Sequence, residues 1–241
     1  MFQNIKNKLN TIFHKFGFNL EPSFSFIMPT YNRAFCIENA INSLIKQDYP
    51  NWELIIVDDG SNDGTENLIH QKYRDLLNER KIIYTKAEHK GTCAARNVGL
   101  SLAKNKWIGY LDTDNEMVSD YLISYKTEIC KHRFSKCFYA QIKLLSGEIV
   151  GVPFNYKKLR KGNYIDLGVF IHHKSLIKKY GNFDEKINRL VDWELILRYT
   201  KNNKPIFINK PLLKYNNSND FTRISNSENY EEAYNYIKAK Y

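Results

Sequence analysis

Short apolar runs and helical periods alternate along this chain. That order predicts an α/β fold, a single domain whose mostly parallel central sheet is flanked by helices. Three observations carry the prediction. The apolar runs stop at Pro, Gly, Asp or Asn, as strands and their exits do. The segments between them repeat apolar residues at i, i+3 and i+4. Strands and helices in alternation make right-handed βαβ units. Nothing in the 241 residues reads as a linker, a repeat or a low-complexity tract, and a chain of this length buries a sizeable core.

Residues 1–17, MFQNIKNKLNTIFHKFG, place Phe2, Ile5, Leu9, Ile12, Phe13 and Phe16 on one helical face, with Lys6, Lys8 and Lys15 largely elsewhere. Such a basic amphipathic helix either packs its stripe on its own domain or lies in a membrane interface. FSFIMPTYN, NWELIIVDDGS, KIIYTKA and WIGYLDTDN then read as four strands with their exits. Between them, Ile37, Ala40, Ile41, Leu44 and Ile45 predict one helix, Ile69, Tyr73, Leu76 and Leu77 a second, and Ala94, Ala95, Val98 and Leu102 a third. The second half is more mixed. It carries a helix near Ser119 to Cys130, short strands around Phe138 to Leu145, and a helix from Lys174 to Tyr180 closed by Gly181. A further helix begins at Asp192, and a last one, Glu228 to Tyr241, follows a Ser225/Glu228 capping box.

Composition narrows the partners. With 36 Lys+Arg against 26 Asp+Glu, the net charge of +10 favours nucleotides, phospholipid headgroups or nucleic acid. Cys36, Cys93, Cys130 and Cys137 show neither a CxxC pair nor a zinc spacing, which predicts free thiols in a reducing compartment. No apolar run approaches the roughly 20 residues that span a bilayer, and the N-terminus lacks the h-region and cleavage site of a signal peptide. A cytoplasmic protein is expected.

Open parallel sheets bind their ligands beyond the carboxyl ends of the strands, and there the unusual polar residues collect: Thr30 to Arg33, Asp58 and Asp59, and Asp112 and Asp114. Two carboxylates at i and i+2 beside an apolar run are costly unless compensated. Hard oxygen ligands at a strand exit suit Mg2+ or Mn2+; the alternative is a solvated acidic turn. Adjacent His172 and His173 point to opposite sides of a strand and read as structural.

IMPTYNR, ELIIVDDGSNDGT, KGTCAARNVGL and YLDTDN, in this order, resemble the family 2 inverting glycosyltransferases of the Rossmann-like GT-A fold. The resemblance runs from about Phe24 to Asp120, with weaker patterns to about Tyr215. It implies a nucleotide-sugar-binding half over 21–120 and an acceptor-binding half over 121–241, after an N-terminal segment 1–20. By resemblance, Pro29, Thr30, Tyr31 and Arg33 line the nucleotide pocket, Asp58 and Asp59 serve the base or ribose, and Arg96 lies near the donor. Asp112, Thr113 and Asp114 form the DxD segment, with Asp112 and Asp114 toward Mn2+ or Mg2+ and Asp114 the direct ligand. An ion pair with Asp58 or Asp59 is the other reading of Arg96.

YGNFDEKINRLVDWELILRY resembles the family segment that supplies the catalytic base, usually an acidic pair before an apolar helix. Here Val191 replaces the first acid, and Asp192 alone matches the base. Glu194 reads as structural. The tail YNNSNDFTRIS lacks the histidine that family members often carry, leaving Arg223 or Ser225 as phosphate contacts.

The implied function is inverting transfer of a sugar from a nucleoside diphosphate, UDP being the family's commonest carrier, to a hydroxyl of a cell-envelope, lipid-linked or other glycan. The charge and the 1–17 segment add an anionic membrane surface as a partner, with the protein peripheral at its inner face. A sugar nucleotidyltransferase would want a Gly-rich basic signature near the N-terminus, which IMPTYNRAFC lacks. A non-catalytic basic module has 17 Tyr and 14 Phe to stack on bases, but no RNP-like or helix-turn-helix signature, so no nucleic acid is expected.

Overall fold

The computed structural model describes residues 21–216 and 230–241. The amphipathic segment 1–17, the Ser225/Glu228 capping box and Arg223 lie outside them. Strands β1 (Phe24–Thr30), β2 (Trp52–Asp58), β3 (Ile82–Lys86) and β4 (Trp107–Tyr110) form the parallel half of one sheet, in the order β3-β2-β1-β4. β1 lies beside β2 residue for residue, so Thr30 and Asp58 leave the sheet at one level.

Helices α1 (Ile37–Ile45), α2 (Thr65–Lys72), α3 (Arg74–Asn78) and α4 (Thr92–Leu102) make the crossovers. Side chains alternate across the sheet: Phe24, Phe26 and Met28 join Ile37, Ile41 and Leu44 on one face, while Ile27 joins Ala95 and Leu100 on the other. Both faces are covered, which is why β1 and β2 are apolar almost throughout.

Two helices differ from the sequence reading. The second period breaks at Tyr73, between α2 and α3. In the third, α4 turns Ala95, Gly99 and Leu100 inward and leaves Val98 and Leu102 37% and 38% exposed. A Cβ on Gly99 would overlap the Ile27 side chain. The helix therefore meets the sheet through its smallest residue, and an apolar period cannot foresee that.

The second half contains β5 (Glu116–Met117), α5 (Tyr121–Lys131), β6 (Cys137–Leu144), β7 (Ile149–Val150), α6 (Tyr156–Leu159), β8 (Phe170–His173), α7 (Ser175–Tyr180), α8 (Val191–Thr200), β9 (Ile206–Tyr215) and α9 (Tyr230–Lys240). β8 runs antiparallel to both β4 and β6. β9 pairs parallel with β6 and antiparallel with β5, which makes this half mixed. Register shifts on either side of Gln141 leave the extra residues in β9, which bulges there and places Tyr215 opposite Leu144.

The two histidines of β8 do face apart. His172 is buried, its Nε2 2.9 Å from the Tyr110 hydroxyl. Burial pushes it down to about 3, so the ring is neutral and accepts from Tyr110. His173 instead packs edge-on against Trp107, on the other core layer.

Candidate active site

Strand exits and the start of α8 enclose one cleft of about 1080 Å3. Pro29, Thr30, Tyr31, Arg33, Asp59, Arg96, Asp112, Thr113, Asp114 and Asp192 all line it.

The loops after β1 and β2 brace each other. Asn32, at φ 52°, takes a left-handed backbone that asparagine tolerates. Its N–H donates to Ser61 Oγ (2.8 Å), and its Oδ1 accepts the Asn62 N–H (2.9 Å). Asp63 accepts the Ala34 N–H at 2.9 Å. Much of the TYNR and GSND motif chemistry thus holds the rim of the cleft.

Asp59 is buried, and its oxygens accept the Lys90 and Gly91 N–H groups at 2.9 and 3.0 Å. His89 Nδ1 lies 2.9 Å from the same carboxylate, and its ring stacks on Tyr31 at 4.2 Å. This ties the loop before α4 to the end of β2. Asp58 corrects the sequence reading: it does not line the cleft. Its carboxylate accepts the Ser61 N–H at 2.7 Å and the Tyr84 hydroxyl. Neighbouring residues at a strand end face opposite ways, so only one acid of the pair points into the crevice.

Arg96 corrects a second expectation, since its partner is Asp112, at 2.9 Å, and neither Asp58 nor Asp59. The guanidinium also lies over the Phe183 ring at 5.4 Å. Burial opposes its charge, but Asp112, Cys93 and Asp192 outweigh that and hold it above the ordinary arginine value. Among the described residues, Arg96 Nε and Thr30 Oγ1 are buried side-chain polar atoms without a hydrogen-bond partner. Both residues line the cleft.

Two residues escaped the sequence reading. Asn163 Nδ2 donates to Asp192 Oδ2 at 2.6 Å, and its Oδ1 accepts the Ile165 N–H at 3.1 Å. Asp166 lines the cleft and accepts the Gly168 N–H at 2.8 Å. Burial, then Asp112, Asp192 and Asp114, push its carboxyl up to about 7. Asp166 caps a short turn through the Gly168 N–H, and a D-x-G triplet is the local signal that could have marked it; Asn163 carries no such signal.

Asp192 sits in the first turn of α8, behind Leu190 at φ 58°. A left-handed leucine is strained, and strain of this kind persists only where the surroundings impose it. Burial raises the Asp192 carboxyl, and Trp193 N–H and Arg96 pull against that. Two residues on, Glu194 is fully buried and receives Arg198 at 2.7 and 3.1 Å, Lys240 at 2.8 Å and the Tyr241 hydroxyl at 2.7 Å. It bolts α8 to α9 and does not line the cleft.

The donor set fits a divalent cation. It is all oxygen, and Asp112, Asp192 and Asp114 add to the rise that burial chiefly gives the Asp166 carboxyl, negative charge that a cation would offset. Among the described residues no three His, Cys, Asp or Glu side chains form a ready metal cluster. Such an ion would therefore complete its shell from water and substrate.

The protein-family model for Glycosyl transferase family 2 matches residues 25–183, more than half of the 241-residue chain. The chain belongs to glycosyl transferase family 2. It is 35% identical over 147 residues to WcaA of Escherichia coli K12, whose name assigns it to colanic acid biosynthesis as a glycosyl transferase, a match covering 59% of this chain and 50% of WcaA. It is 29% identical over 161 residues to WfgD of Escherichia coli, a UDP-Glc:alpha-D-GlcNAc-diphosphoundecaprenol beta-1,3-glucosyltransferase, covering 65% of this chain and 62% of WfgD. The matches thus span less than two thirds of these relatives' lengths. In fold, the chain superposes on S. aureus TarS 1-349 in complex with UDP-GlcNAc with a TM-score of 0.73 at 22% identity, over 89% of this chain and 64% of that one. The architecture of this family 2 chain is the GT-A fold. No helix among the described residues is long and apolar enough to cross a membrane.

Proposed function

We propose that this chain transfers a sugar from a nucleoside diphosphate sugar, UDP-linked, to a hydroxyl of a lipid-linked or other cell-envelope glycan, with inversion at the anomeric carbon. The observation that carries it is the shared cleft, where Asp192 and the Arg96/Asp112/Asp114 group are brought together from distant parts of the sequence. The names of WfgD and of the TarS complex support a UDP-sugar, and WfgD a diphosphoundecaprenol acceptor.

In this reading Pro29, Thr30, Tyr31 and Arg33 border the nucleotide, and Asp59 with His89 closes the wall against the base. Thr30 and Arg96, each with a buried unpartnered polar atom, border the donor. Asp112 and Asp114, with Thr113 between them, would hold Mn2+ or Mg2+, Asp114 more directly because Asp112 already engages Arg96. When bound, the ion supplies positive charge against the departing diphosphate.

Asp192 takes the proton of the acceptor hydroxyl as that oxygen bonds to the anomeric carbon. The bond from that carbon to the diphosphate oxygen breaks on the opposite face, and the diphosphate leaves with the electron pair. A carboxyl raised by burial is a better-matched base than an ordinary one, and Asn163 fixes the direction of its lone pairs.

A thermal-shift series tests the donor half: UDP with Mn2+ raises the melting temperature more than ATP or GMP, by mass action on the folded state. Equal shifts for all nucleotides, or none, overturn it.

A further inference from the structure

We propose that the β6–β7 hairpin and the basic turn that follows it form a docking face for an anionic lipid bilayer, seating the cleft against the membrane. The inference rests on the lipid-linked acceptor reading above and uses residues with no part in donor binding. Three observations carry it.

The first is direction. β4 runs parallel to β1, and β6 is reached from β4 through β8 by two antiparallel pairings. β6 therefore runs the same way as β1 and ends at the sheet edge that carries the cleft. Its last residue, Leu144, lies opposite Tyr215, which lines that cleft.

The second is exposed apolar surface. Leu145 and Ile149, on either side of the hairpin turn, are 65% and 51% exposed, and Val152 just beyond is 37% exposed. None of the three belongs to either core cluster, and three exposed aliphatic side chains within eight residues are more than the scattered single ones that are ordinary.

The third is charge. From Lys143 to Ile165 there are five cations, Lys143, Lys157, Lys158, Arg160 and Lys161, against one carboxylate, Glu148. Lys157, Lys158, Arg160 and Lys161 are exposed, and none forms an ion pair among the described residues. The turn is held in place: Lys158 Nζ lies over the Tyr164 ring at 5.4 Å, and the Tyr164 hydroxyl bonds the Asn155 backbone. Two residues past Lys161, Asn163 grips Asp192. The cations therefore belong to the same turn as the residue that holds the base that would receive the acceptor.

Apolar side chains flanked by cations suit the boundary between acyl chains and anionic headgroups. A free phosphate or a soluble polyanion would use the cations and leave Leu145 and Ile149 without a role.

Flotation of the full chain with vesicles tests the face. Expected is flotation with phosphatidylcholine vesicles containing phosphatidylglycerol at low salt, and much less with phosphatidylcholine alone. Replacing Lys157, Lys158, Arg160 and Lys161 by Gln weakens partitioning roughly fivefold per cation, from about 1 kcal/mol each at an anionic surface. Leu145→Ser with Ile149→Ser weakens it on the order of tenfold and leaves the salt dependence in place. Lys178→Gln with Lys179→Gln, on α7, removes two exposed cations elsewhere and changes it little. Melting temperature and the UDP shift, measured on each variant, report folding and the donor site separately. Failure of UDP to bind alongside face-dependent flotation overturns the catalytic reading and leaves the docking face standing. No flotation of the wild type, or flotation that survives both the Gln and the Ser variants, overturns the docking face.

Discussion

Asn163 donates from Nδ2 to Asp192 Oδ2 across 2.6 Å, joining the turn after α6 to the first turn of α8. Where the family segment carries an acidic pair, this chain has Val191 and Asp192. The contact that steadies Asp192 comes from 29 residues upstream.

Asn163→Ala is therefore expected to lower kcat about tenfold, the effect of roughly 1.4 kcal/mol of lost positioning, with donor KM unmoved. Removing a donor that favours the charged carboxylate also raises the Asp192 pKa, so the acid limb of the kcat profile shifts to higher pH. Steady-state kinetics across pH with UDP-sugar and acceptor check both. An unchanged limb would reduce Asn163 to a loop brace.

Asp192→Asn and Asp114→Ala are expected to separate cleanly. The first abolishes turnover and keeps the UDP and Mn2+ thermal shift, because a base is needed only as the hydroxyl reacts. The second removes the Mn2+-dependent part of that shift. Substantial turnover in Asp192→Asn would mean that another residue is the base.

Asp166 links the cleft to stability. Its carboxyl is raised from 3.8 to about 7, by burial first and then by Asp112, Asp192 and Asp114. The folded state thus holds this proton more tightly than the unfolded chain. The stability it contributes is complete below about 3.8 and is lost as pH rises through about 7. Asp166→Asn, which keeps an oxygen for the Gly168 N–H, should melt higher than the wild type at pH 8 in chelator. The gap should close toward pH 4 and narrow when Mn2+ is added. Melting curves that stay parallel across pH would contradict this.

Glu194 works in the opposite sense. Burial raises its carboxyl, but Arg198, Lys240 and Tyr241 outweigh that and hold it below the ordinary 4.5. Its contribution is present above the unfolded value and is lost as pH falls through the depressed one. Glu194→Gln leaves Arg198 without its carboxylate and should cost roughly 3 to 5 kcal/mol in chemical denaturation. The UDP shift of the still-folded fraction should be unchanged, because Glu194 does not line the cleft.

The order of strands and helices, the parallel half of the sheet and the crevice at its carboxyl edge were legible in the chain itself. Apolar periods and strand exits are local signals, and four motifs in sequence pointed to one family. Local signals stop at the side chain's direction. Asp58 and Asp59 look equivalent on the page, yet one faces Tyr84 and the other the cleft, because adjacent residues at a strand end turn opposite ways. The α4 stripe was misread because Gly99 packs by being small. The Arg96–Asp112 pair, the Asn163–Asp192 bond and the crowding of Asp166 by three other carboxyls each join segments far apart in sequence. Only the packing of α4 and α8 over one sheet edge brings those charges within reach of each other, and Coulomb energy and hydrogen bonding depend on that distance in space.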